Sequence, residues 1–145
     1  MKKIFTLLLI ALFVQFSYAQ CVFTDGVLAG DLTPLTMGDT QVSGCSPGGE
    51  YFTVTVCENT QYTFSTCGDS AYDTQITLFD ETGTFLNYND DSTCGVQSTL
   101  IWTAGFSGVV NVLVTEYYCG ISGGGCLPIS VTQNTACTVF PPCTS

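Results

Sequence analysis

From Tyr51 onward the chain alternates. Tyr51-Phe52-Thr53-Val54-Thr55-Val56 puts Phe52, Val54 and Val56 on one face of an extended segment and Tyr51, Thr53 and Thr55 on the other. Period two is the signature of a half-buried strand. Gln61 to Thr66 repeats the pattern with Tyr62 and Phe64 inward. Further strands are predicted at 74–79, 85–88, 98–103, 109–115 and 127–131. Turn formers separate them: Asn59, Gly68-Asp69, Asp80-Glu81-Thr82-Gly83, Asn89-Asp90-Asp91 and Gly105. Residues 21–50 carry loop signals (Asp25-Gly26, Pro34, Gly38-Asp39, Ser46-Pro47-Gly48-Gly49) and room for one or two edge strands. No helical periodicity follows the first twenty residues. Short Thr-, Val- and aromatic-rich strands at this spacing predict an all-β fold, an antiparallel β-sandwich. Thr on the outward positions suits both the strand and water. The Thr-x-Thr pattern has no fixed period along the chain, which argues against an ice-binding face.

Met1-Lys2-Lys3 followed by the apolar run Ile4 to Phe16 and by Ser17-Tyr18-Ala19 reads as a secretory signal peptide, residues 1–19. The apolar run is shorter than the roughly twenty residues a membrane-spanning helix needs. The mature part, 20–145, is expected to be one domain, secreted or at the cell surface. Cys21 raises a lipoprotein alternative, but Gln20 is not the small residue that lipidation requires before the cysteine.

The nine cysteines (21, 45, 57, 67, 94, 119, 126, 137, 143) all follow the leader. In an oxidising compartment they read as a disulfide framework. There is no Cys-x-x-Cys and no His to favour zinc. Spacing leaves the connectivity open. Loop geometry favours Cys119 with Cys126 across a Gly-rich loop, and Cys137 with Cys143 across Pro141-Pro142, giving a stapled tail over 135–145. It also favours Cys67 with Cys94 beside turns and Cys45 with Cys57, leaving Cys21 unpaired.

Charge excludes whole classes of function. Lys and Arg number 2, Asp and Glu 12, and His 0, and both cations are Lys2 and Lys3. Loss of the leader moves the formal charge from −10 to −12. Without His there is no Ser-His or Cys-His nucleophile pair. Without Lys there is no Schiff base and no P-loop. Without cations there is no electrostatic driver toward nucleic acid or anionic lipid, and no membrane insertion is expected after leader removal.

Two constellations could still carry function. Asp69 and Asp73 flank one loop, and Asn89-Asp90-Asp91 closes another. Carboxylates in such turns are what calcium takes as ligands, and Asp73, Asp90 and Asp91 are the candidates. The same residues also suit turns simply by bonding nearby backbone amides. Among the aromatics, Tyr88, Trp102, Tyr117 and Tyr118 could stack on sugar rings. Leu100 and Trp102 share a strand face, which favours a core position for Trp102. Tyr117 and Tyr118, read as consecutive strand residues, must put at least one ring toward water. Paired carboxylates could act as a glycosidase acid and base, but a small sandwich with acids on its turns offers little cleft.

Residues 51–114 resemble the bacterial pre-peptidase C-terminal domain. The resemblance lies in Tyr72-Asp73-Thr74-Gln75-Ile76-Thr77-Leu78-Phe79-Asp80, Gly83, Asn89-Asp90-Asp91, Ser98-Thr99-Leu100-Ile101-Trp102 and Ser107-Gly108-Val109-Val110-Asn111-Val112-Leu113-Val114. It implies a jelly-roll-like sandwich acting as a non-catalytic module of secreted proteins, some of them associated with calcium, matrix or polysaccharide. The chain is far richer in cysteine than that pattern. Its leader and the mature start at Gln20 resemble exported proteins of Gram-negative bacteria of the Bacteroidetes type. The expected function is a secreted, non-catalytic binding module for polysaccharide or extracellular matrix, assisted by calcium. The alternative is a structural or interaction subunit of a cell-surface assembly that docks on a protein partner.

Overall fold

The computed structural model describes residues 21–23, 26–68, 72–121 and 125–138. The leader expected at 1–19 and Cys143 lie outside the described residues, as does Asp69. Among the described residues nine strands form: β1 Leu28–Asp31, β2 Thr40–Val42, β3 Tyr51–Val56, β4 Gln61–Ser65, β5 Thr74–Asp80, β6 Phe85–Asn89, β7 Thr99–Thr103, β8 Gly108–Glu116 and β9 Ser130–Gln133. A five-stranded sheet runs β1-β3-β8-β5-β6, and a four-stranded sheet runs β2-β9-β4-β7. Every pairing is antiparallel except β1 with β3. The region 21–50, where one or two edge strands are expected, supplies two, β1 and β2, one at the edge of each sheet.

The alternation does what it predicts. Phe52, Val54 and Val56 from β3 meet Tyr62 and Phe64 from β4, and Ile76, Leu78, Val110, Val112, Leu100 and Val131 complete the core between the sheets. Fully burying one such side chain stabilises by roughly 1.5–3 kcal/mol before entropy is charged against it. The last strand begins three residues later than the apolar pattern of 127–131 indicates. Leu127 and Ile129 are fully buried, but Pro128 between them lacks the N–H a ladder needs. That stretch instead donates from Leu127 N to Ser46 O (2.9 Å) and from Ile129 N to Ser43 Oγ (2.9 Å).

β5 is buried on both faces, from Thr74 to Phe79. The outer face of the five-stranded sheet is covered by the segment at Cys21 and Phe23, which packs with Phe79, Leu113, Tyr51 and Phe85. The Phe23 ring lies 5.1 Å from Tyr51 and 5.2 Å from Phe79. Gly83 makes room for it. Its φ is +84°, and a Cβ there would lie 3.2 Å from the Phe23 ring.

Four disulfides join described residues: Cys21–Cys119, Cys45–Cys126, Cys57–Cys137 and Cys67–Cys94. Only the last matches the expectation. Cys21 is not the unpaired cysteine, Cys119 and Cys126 do not close their Gly-rich loop, Cys45 does not join Cys57, and Cys137 is held by Cys57 rather than Cys143. The sheets explain the difference. Cys45 follows β2 and Cys126 precedes β9, its ladder neighbour. Cys57 leaves β3 and Cys137 leaves β9 where Thr60 and Gln61 bond to 134–136. Adjacency of strands outweighs closeness in sequence.

Candidate functional site

The chain leaves β8 at Glu116 and makes a single 3-10 turn, Tyr117–Cys119. The expectation of continued strand at Tyr117-Tyr118 is thereby corrected: both rings are exposed, Tyr118 at 72 % and Tyr117 at 38 %. Tyr118 and Cys119 both take positive φ, 59° and 60°. For a bulky non-glycine residue this backbone is uncommon and persists only where the surroundings enforce it. Three contacts enforce it. Cys119 is bridged to the buried Cys21. Glu116 and Gly120 exchange backbone hydrogen bonds of 3.0 and 3.2 Å, and Tyr117 N donates to Asp73 O at 3.1 Å.

The two tyrosine rings lie 4.0 Å apart, centroid to centroid, at 48°. A side-chain hydrogen bond to Tyr118, reinforced by the charge of that phenol, pushes the Tyr117 phenol up to about 12, with Asp90 and Asp73 adding to the effect. The turn and these carboxylates therefore share one end of the sandwich. Burial, then the charges of Asp91 and Asp90, raise the Asp73 carboxyl above its ordinary value. Asp73 Oδ1 is buried and accepts no hydrogen bond. Among the described residues no three of His, Cys, Asp and Glu gather closely enough to hold a metal ion. Of the calcium candidates Asp73, Asp90 and Asp91, the last two act on the Asp73 carboxyl through their charge.

The other two aromatic candidates lie elsewhere. Tyr88 sits half-buried on edge strand β6 opposite Thr77, its ring 6.3 Å from Phe85. Trp102 packs against the central core from β7, 6.2 Å from Phe106. The core reading of Trp102 is the one its packing favours.

Beside the tyrosine turn lies a groove of about 420 Å³ that the sequence does not announce. Its apolar lining includes Val22, Val27, Leu113 and Ile121, with the Cys21–Cys119 bridge in its wall. The signal for it was Cys21. Its pairing with Cys119, just past β8, carries the adjoining segment across the sheet.

A family model described as Domain of unknown function (DUF8695) matches residues 42–137. The chain belongs to that family. The DUF8695 part contains both cysteines of three bridges, whereas Cys21 of the fourth lies before it. Among curated proteins none matches the chain. Of solved structures, the pre-peptidase C-terminal domain of a collagenase from Bacillus anthracis is similar at 10 % identity and TM-score 0.48, over 76 % of this chain and 97 % of that one. A periplasmic inhibitor of g-type lysozyme from Aeromonas hydrophila is similar at 10 % identity and TM-score 0.48, over 74 % and 98 %. Four disulfides in this DUF8695 protein are the chemistry of an oxidising, extracytoplasmic compartment. Among the described residues no helix is long and apolar enough to cross a membrane.

Proposed function

We propose that this DUF8695 protein is a secreted, non-catalytic binding module that takes a polysaccharide at the end of the sandwich bearing Tyr117 and Tyr118. One observation carries the reading. A pair of exposed tyrosines is presented on a positive-φ turn that a disulfide and backbone bonds hold in place. An aromatic face offers a sugar ring apolar contact at little entropic cost, because it is already ordered. The Asp73 side chain, half-buried at the same end, supplies an acceptor for a sugar hydroxyl.

The test is retention of the oxidised protein on a polysaccharide panel, run with calcium and with a chelator. Tyr118→Ala and Asp73→Asn are each expected to weaken binding at least tenfold without changing the circular dichroism spectrum. Unaltered binding by both variants would overturn the site, and no binding to any polysaccharide would overturn the reading. Loss of binding in chelator would show that calcium assists.

The groove favours a second reading, docking on a protein partner. Val22, Val27 and Ile121 at its rim are each at least 70 % exposed, and contiguous exposed apolar surface is characteristic of protein interaction sites. A partner captured from native surface material by wild type, and lost with Ile121→Asp, would favour that reading.

A further inference from the structure

The four-stranded sheet turns one face to the core and the other away from it. On the outward face, strand register aligns Thr40, Thr132, Thr63 and Ile101 in one row across all four strands. A second row aligns Val42, Ser130, Ser65 and Thr99. Gln61 beside Thr103 continues the face at one end. No Asp or Glu lies on β2, β4, β7 or β9. On a chain of formal charge −10, with no cation after Lys3, this face is composed entirely of neutral side chains.

The sheet also supplies a regularity that the sequence lacks. Thr-x-Thr does not recur along the chain, yet neighbouring strands stand about 4.8 Å apart and residues on one face recur about every 6.8 Å along each strand. Several are already oriented by one another. Thr40 and Thr132 hydroxyls lie 2.8 Å apart, Ser65 and Thr99 hydroxyls 3.1 Å apart, and Asn134 Nδ2 donates to Thr63 Oγ1 at 2.8 Å. A hydroxyl can donate once and accept twice, so a hydroxyl engaged once keeps capacity for a ligand. Val42 and Ile101, 63 % and 60 % exposed, add apolar contact to the rows.

We infer that this face is a second binding surface, and that its occupant is a neutral, hydroxyl-rich polysaccharide laid across the strands. The choice of a glycan rests on the function proposed above, while the face itself does not. Charge selects neutrality. A polyanion is repelled by the acidic chain, and a polycation is drawn to the acid-bearing end instead. Size argues against a protein. Four strands of three, four, five and five residues present roughly 300 Å², well short of the roughly 800 Å² per partner of a stable protein interface. The face also lacks the Trp, Tyr and Arg anchors such interfaces use. A polymer needs only weak contacts repeated along its length, and a second site at the tyrosine turn would multiply them.

The experiment is retention on microcrystalline cellulose and on alginate, a neutral and an anionic polysaccharide. Thr63→Glu is expected to reduce retention on cellulose at least tenfold, Thr63→Ser to leave it within twofold, and alginate to retain neither. If Thr63→Glu fails to fold, Thr40→Glu at the exposed edge takes its place. Binding to cellulose that survives the glutamate variants, or preferential binding to alginate, overturns the inference. So does inhibition of ice recrystallisation without cellulose binding. The two sites fail separately. Loss with Tyr118→Ala alone removes the sheet face and keeps the tyrosine site, and loss with the glutamate variants alone does the reverse.

Discussion

Two aspartates, similar in sequence context, are opposite in energetics. Asp80 opens the turn between β5 and β6, accepting from Thr82 N at 2.9 Å, Thr82 Oγ1 at 2.7 Å and Thr84 N at 2.8 Å. These bonds, that from the Thr82 side chain foremost, hold its carboxyl below 3.8. Its stabilisation is present above 3.8 and fades as the pH falls through the lower folded value. Asp73 is the reverse. Its carboxyl is raised by burial and by Asp91 and Asp90, so its contribution is complete below 3.8 and is lost as the pH rises through the folded value. Asp73→Asn is therefore expected to melt higher than wild type at pH 7, the gain disappearing toward pH 4. Asp80→Asn is expected to melt lower at pH 7, with a deficit that shrinks as the pH falls below 4. Thermal melts from pH 3 to 8 distinguish them. Tyr117 gives a third test. Absorbance titration at 295 nm should show one phenol near 12, which Tyr118→Phe returns toward 10.0.

At the scale of elements, the segment at Cys21 acts as a strap. It fixes one end of the tyrosine turn and, through Phe23, seals the outer face of the five-stranded sheet. Cys21→Ser with Cys119→Ser is expected to cost about 2–5 kcal/mol and to weaken glycan binding. Phe23→Ala should cost about 2 kcal/mol, below the 3–5 of a fully buried ring, and leave binding within twofold. Urea unfolding beside the retention assay separates the two. The strands themselves were legible, because Phe52-Val54-Val56 and Tyr62-Phe64 each face one core and period two records that directly. The strap was not. Phe23 stands alone in a stretch of loop signals, and nothing local says which face it will cover. The bridges are hidden from the sequence for a related reason. A Gly-rich loop makes Cys119 and Cys126 easy to join, but ease of closure is a property of the unfolded chain. Which cysteines meet is set by β2 lying beside β9 and by the strap crossing to β8. The tyrosines were found as residues, whereas the turn that displays them depends on that same unread bridge.

For the molecule as a whole, uncompensated charge sets the response to solvent. No cation follows Lys3, so no side-chain salt bridge can form within the described residues, and added salt has only repulsion to screen. The melting temperature is expected to rise steadily from 10 mM to 0.5 M sodium chloride, as the screening length shrinks from about 30 Å to a few ångströms. A fall over that range would contradict this account. Three of the bridges span 98, 81 and 80 residues and interleave, each opening before any of them has closed. A chain that emerges amino end first can complete Cys67–Cys94, separated by 27 residues, while Cys21, Cys45 and Cys57 still wait for partners near the other end. Those three thiols are exposed to wrong pairing until the last quarter of the polypeptide arrives. Oxidative refolding of the reduced protein is therefore expected to be slow by itself and to speed up when a disulfide-shuffling catalyst is added, in a way that its strands alone would not require.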